Sequence, residues 1–147
     1  MEILKSVLCE LAGYEDAQKA LSKGEKVSFS GCCESQKMHL FGGLSENYSR
    51  KLIITYDELK AKSILEDGAL YDGEVCFFPA KDLIFYQADV FGNKTASERM
   101  QVLRKIFTSD NLTVVTTVDA LATPMLPASV LKNNLLILKT GSIVEID

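Results

Sequence analysis

Short β-rich runs alternating with helical sequence constrain this chain more than any other feature. Residues 112–117, Leu112-Thr113-Val114-Val115-Thr116-Thr117, make its clearest strand. Lys51-Leu52-Ile53-Ile54-Thr55 has the β-rich character of a buried parallel strand. Residues 75–78 form another strand, stopped by Pro79, and 26–29 and 135–138 are two more. Helices are expected between them at 35–44, weakened at its end by Gly42 and Gly43, and at 57–65, with Gly68 and Gly73 bracketing a turn. Ser97 reads as the N-cap of a helix over 98–107, whose apolar face carries Met100, Leu103 and Phe107. A short helix begins at Val118 and is broken up by Pro124 and Pro127, and Gly141 starts a turn toward Ile143-Val144-Glu145-Ile146. Two short helices open the chain, on Ile3, Leu4, Val7, Leu8, Leu11 and on Ala17, Ala20, Leu21; Gly13 separates them and Gly24 ends the second. This alternation implies right-handed βαβ crossovers. The expected fold is therefore α/β, a three-layer, mainly parallel sheet flanked by helices, in a single domain over 1–147.

At 147 residues with 47% hydrophobic and 24% charged side chains, the chain can bury a real core and is not of the disordered class. A net charge of −4 argues against a basic nucleic-acid footprint across the whole surface. Lys51, Lys60, Lys62 and Lys81 are interleaved with acids, as on a solvated face. No run approaches the ~18 apolar residues of a membrane span, and the N-terminus lacks a signal peptide's apolar core, so a cytoplasmic protein is expected. The four cysteines, two of them adjacent, are expected to be thiols.

Val27-Ser28-Phe29-Ser30-Gly31-Cys32-Cys33-Glu34-Ser35-Gln36-Lys37-Met38 has the frame of a phosphate-binding loop without its chemistry. A working loop reads G-x-x-x-x-G-K-[ST] between a strand and a helix. Gly31 and Lys37 hold that separation, but Gln36 stands where the second glycine lets backbone approach phosphate, and Met38 where a hydroxyl would ligate Mg²⁺. Glu34 adds negative charge where phosphate oxygens would sit. These residues predict a P-loop NTPase-like fold with a vestigial loop, no bound cofactor and no metal. Asp57 and Asp119 are the nearest candidates for a Mg²⁺-holding acid, and both read better as helix caps.

Other candidates reduce to structural roles on the same grounds. Cys32 or Cys33 at a helix start would have a lowered pKa, but the residue six after Cys33 is His39, not the arginine of a C-x₅-R phosphatase loop. Cys32, Cys33 and His39 lack a fourth metal ligand at suitable spacing. Arg99 and Arg104 on the same helix read as solvated charges in preference to contacts with a partner or DNA backbone. Phe77, Phe78, Phe85, Tyr86 and Phe91 form an aromatic cluster that suits core or inter-domain packing better than a partner surface.

Several stretches in order resemble the N-terminal region of the bacterial transcription-repair coupling factors, itself similar to the excision-repair protein UvrB. They are Val27-Ser28-Phe29-Ser30-Gly31; Leu52-Ile53-Ile54-Thr55-Tyr56; Phe78-Pro79-Ala80-Lys81-Asp82 with Tyr86-Gln87; Ser97-Glu98-Arg99-Met100-Gln101-Val102-Leu103; and Val114-Val115-Thr116-Thr117-Val118-Asp119-Ala120-Leu121. UvrB carries an intact P-loop and, after its Tyr-Gln segment, a long DNA-clamping hairpin. Here the loop is degenerate, and residues 88–96 leave no room for the hairpin, so both departures match the coupling factor. The resemblance implies a non-catalytic scaffold and regulatory module cut from a larger protein. That parent would be an ATP-driven DNA translocase that displaces stalled RNA polymerase and recruits UvrA for nucleotide excision repair. This module's own partners would be the parent's other domains. The rival readings are a small P-loop NTPase or nucleotide kinase with an aberrant loop, and a direct DNA binder.

Overall fold

The computed structural model describes residues 2–71, 73–81 and 92–134. Its centre is a parallel sheet of β1 (Arg50–Thr55), β2 (Val75–Phe78) and β3 (Leu112–Thr117), in the order β1-β3-β2. Leu112 lies opposite Arg50 in β1, and Thr113 opposite Val75 in β2. Both neighbours pair with β3, and every one of its residues is buried, which explains its uninterrupted β-branched and apolar sequence. The small α/β architecture agrees with the sequence expectation.

The connections fix the layers. From β1 the chain runs through α4 (Glu58–Tyr71) to β2, two places along the sheet, and α5 (Gly92–Thr108) lies between β2 and β3 in the chain, one place back. Right-handed crossovers in opposite directions put their helices on opposite faces. Packing agrees. On one face Val102 of α5, with half-buried Leu103 and Ile106, covers Cys76, Phe78, Leu112 and Val114. On the other, Gly68 of α4 lies against Val75, and Ala61 is fully buried. Ahead of the sheet, α1 (Glu2–Cys9), α2 (Tyr14–Ser22) and α3 (Glu34–Leu44) build a second small core from Leu8, Tyr14 and Leu40, and α3 packs on α4. Gly13 and Gly24 flank α2 as expected, both with positive φ.

Several expectations need correction. Residues 26–29 form no strand: the stretch carries only two apolar side chains, and Phe29 lines a cavity beside Tyr48 instead of a sheet. Gly68 is not in a turn, because α4 runs on through it and packs it near Met38 and Val75. Ser97 caps nothing, since α5 starts at Gly92 and passes through it. Pro127 does not merely break structure; its φ of −55° leads into α7 (Ala128–Asn133), after α6 (Val118–Ala122). β1 is not buried on both faces. Leu52 and Ile54 are each more than half exposed, because the α5 layer covers β2 and β3 and stops short of β1. Phe77 and Phe78 do not share a cluster; they alternate to opposite faces of β2, and Phe78 alone is fully buried. The expected strand at 135–138, the turn at Gly141, and Asp82, Phe85, Tyr86, Gln87 and Phe91 lie outside the described residues.

Candidate functional site

Gly31, Gln36, Lys37 and Met38 come together at the start of α3, and each has an internal structural role. Gly31 takes φ 76°, a left-handed conformation that a side chain disfavours, and so turns the irregular 25–30 segment toward the helix. Cys33 is the N-cap, with extended φ −72° and ψ 167°. Gln36, three residues on, reaches back, and its Oε1 accepts a hydrogen bond from the Cys33 backbone N–H at 3.1 Å. That is the returning half of a capping box, and it occupies an N–H that an anion at the helix start would need. Lys37 Nζ donates to Glu34 Oε1 at 2.6 Å, and the other oxygen of Glu34 pairs with Lys60 of α4. Met38 is only 5% exposed. No strand feeds the loop, so the strand-loop-helix frame expected here is not formed among the described residues.

The cysteines of this loop are thiols, as are Cys9 and Cys76. The exposed Cys33 thiol is pulled below its ordinary value, first by its hydrogen bond with Ser35 and then by the Gln36 backbone N–H. Cys9 is exposed, whereas Cys76 is buried in the sheet core. His39 follows Cys33 by six residues on α3, a rise of roughly 9 Å along the axis.

The acids expected as caps divide. Asp57 Oδ1 accepts from the Lys60 backbone N–H at 2.6 Å and caps α4. Asp119 caps nothing: at α6 that task falls to Thr117, whose Oγ1 accepts from the Ala120 N–H at 3.2 Å. Asp57 and Asp119 line one small cavity at the carboxyl ends of the three strands, together with Glu58 and Glu98. Among the described residues, no group of three or more His, Cys, Asp or Glu side chains is placed to hold a metal ion. No family model, curated protein or solved structure matches this chain.

Two features escaped the sequence. Arg99, expected in solvent, is 5% exposed. Its guanidinium lies 4.1 Å over the Phe78 ring and donates to the Pro79 carbonyl at 2.6 Å, and burial lowers its pKa. Arg104 does face solvent as expected. The second is a cavity of about 560 Å³ beside the loop, between Phe29, Cys32 and the apolar side of α3. Its aromatic residues were visible in the sequence, but Phe29 and Tyr48 are nineteen positions apart, and no local pattern brings them together. Among the described residues no helix is long and apolar enough to cross a membrane.

Proposed function

We propose that this chain is a non-catalytic α/β scaffold and regulatory module of a bacterial transcription-repair coupling factor, with a phosphate loop descended from a P-loop and no longer used. One observation carries the non-catalytic part. The loop positions that would bind nucleotide are taken by internal contacts: Gln36 closes the helix start, Lys37 is held by Glu34, and Met38 sits in the core. A phosphate group would have to displace the amide and one ion pair while facing the Glu34 carboxylate. The parallel sheet with helices on both faces is compatible with the fold that the resemblance implies. The ordered stretches from Val27 to Leu121 supply the link to coupling factors.

On this reading the whole parent protein carries the ATP-driven motor and the contacts to RNA polymerase, DNA and UvrA. This module supports its neighbouring domains and has no ATPase, helicase or nuclease activity. A thermal-shift titration with Mg-ATP tests the loop, and no saturable rise in Tm is expected. Clear saturable stabilisation would sink the non-catalytic reading. The identity is tested separately by the gene: an open reading frame that continues into a translocase motor is expected, and a stop codon directly after Asp147 would overturn the assignment.

A further inference from the structure

We propose that the cavity beside the vestigial loop is a binding site for a small planar aromatic monoanion, held by its ring on aromatic walls and by its charge on Lys37. At about 560 Å³ the cavity lies within the range that encloses a small organic ligand, and it is too small for a folded partner. Its floor is apolar, from Leu21, Leu40 and Leu44. Its walls are Phe29, Phe41 and Tyr48, and Phe29 and Tyr48 are 46% and 44% exposed, so aromatic surface stands open to water. Flat aromatic faces favour a flat aromatic guest by offset or edge-to-face packing. The Tyr48 wall is fixed in advance. Its hydroxyl donates to the Leu21 carbonyl at 3.0 Å, and its backbone N–H donates to the Ser45 carbonyl at 3.0 Å.

Charge selects the sign of the guest. Lys37 is the single charged side chain among the described residues lining the cavity. Lys37 is paired with Glu34 at 2.6 Å, and Glu34 is shared with Lys60, so one carboxylate serves two ammonium groups and a bound anion would share Lys37 with it. One added negative charge, from a carboxylate or sulfonate, suits that two-to-one arrangement. A triphosphate does not, because it would bring several negative charges toward Glu34. One lining polar group lacks a partner: Ser45 Oγ is buried with no hydrogen bond. An unmatched buried hydroxyl is costly, and one χ1 rotation would let it donate to an acceptor on the guest.

The test uses 1-naphthoate as probe and neutral 1-naphthalenemethanol as its uncharged counterpart, titrated into the ¹⁵N-labelled chain. Saturable one-to-one shifts are expected at the amides of Phe29, Gly31, Lys37, Ser45 and Tyr48. The neutral probe and the Lys37→Gln variant should each bind about tenfold more weakly, the effect of losing one charge-assisted hydrogen bond. Phe29→Ala, an exposed loop change that leaves the core intact, should weaken both probes alike. Shifts that do not saturate, or that map to the opposite side of the sheet, overturn the site. Equal affinity for both probes, or for wild type and Lys37→Gln, overturns the choice of an anion. Mg-ATP binding would overturn the non-catalytic reading above and leave these outcomes to be judged separately.

Discussion

Met38 of α3 and Gly68 of α4 fit together: the Met38 Cε lies 3.4 Å from the point where a Cβ on Gly68 would stand. The position that would carry a Mg²⁺-binding hydroxyl in a phosphate loop is thus occupied by a flexible apolar side chain filling the space between two helices. Met38 makes a packing contact there, and it ties the helix after the loop to the helix on the sheet.

Giving this segment the residues of a working phosphate loop should therefore damage the fold before it adds any chemistry. Met38→Thr removes buried methylenes and inserts a hydroxyl, and should cost about 2–4 kcal/mol. Adding Gln36→Gly deletes the reciprocal cap at Cys33 and should cost further. Urea unfolding measures the loss, and a double variant that keeps wild-type stability and gains Mg-ATP binding would contradict the account of both residues.

Gly68→Ala tests the same contact from the other side. At 3.4 Å the new methyl makes ordinary contact with Met38, and alanine suits a helix interior better than glycine, so stability should rise by up to about 1 kcal/mol. Gly43→Ala should do the reverse. Its Cβ would lie 2.4 Å from Leu8 Cδ1 and 2.6 Å from the Tyr14 hydroxyl, both in the small N-terminal core. Overpacking there should cost about 1–3 kcal/mol, and a stability gain for this variant would mean that α1 and α3 are less closely seated than described.

The sequence was most legible where one residue pattern has one physical solution. β3 could be read because a central strand buried on both faces must be apolar or β-branched throughout. β1 was only half legible, since its composition shows a strand but not that a covering helix stops short of Leu52 and Ile54. Ser97 misled because serine is a good N-cap, yet within a helix it costs only a few tenths of a kcal/mol, so α5 can pass through it. Arg99 could not be placed at all from sequence. Its burial depends on Phe78 and Pro79, twenty residues away, which supply a ring face and a carbonyl only once β2 and α5 are packed. At the loop, the residue types were legible, but not that Gln36 caps α3 and Lys37 pairs with Glu34.

The caps of α4 and α6 give a direct check on the acids at the strand ends. Asp57→Ala should cost about 1 kcal/mol by removing the acceptor for the Lys60 N–H, whereas Asp119→Ala should cost less than half as much. Thr117→Ala should cost at least as much as Asp57→Ala, because it strips a buried cap from the Ala120 N–H. If Asp119→Ala proves the most damaging of the three under chemical denaturation, the cap assignments are wrong.

The remaining prediction concerns pH and the clip between β2 and α5. Lys105 Nζ lies 2.8 Å from Glu74 Oε1 and 3.3 Å from Cys76 Sγ, and the Ser109 hydroxyl donates to Glu74 Oε2 at 2.8 Å. The hydrogen bond from Lys105, then that from Ser109, holds the Glu74 carboxyl below its ordinary value of 4.5. Glu74, followed by Cys76, holds the Lys105 ammonium above its ordinary 10.5. A depressed carboxyl pKa stabilises the fold above the unfolded value, and that contribution disappears as pH falls through the folded one. A raised ammonium pKa stabilises below its unfolded value and is lost as pH rises through its folded one. The clip should therefore contribute a constant amount between roughly pH 5 and 10. Glu74→Gln removes the charge from it. The gap in urea midpoint between wild type and Glu74→Gln should stay level across that window and close toward pH 3, and a gap that instead widens in acid would show that Glu74 is not held by Lys105 and Ser109 in the folded chain.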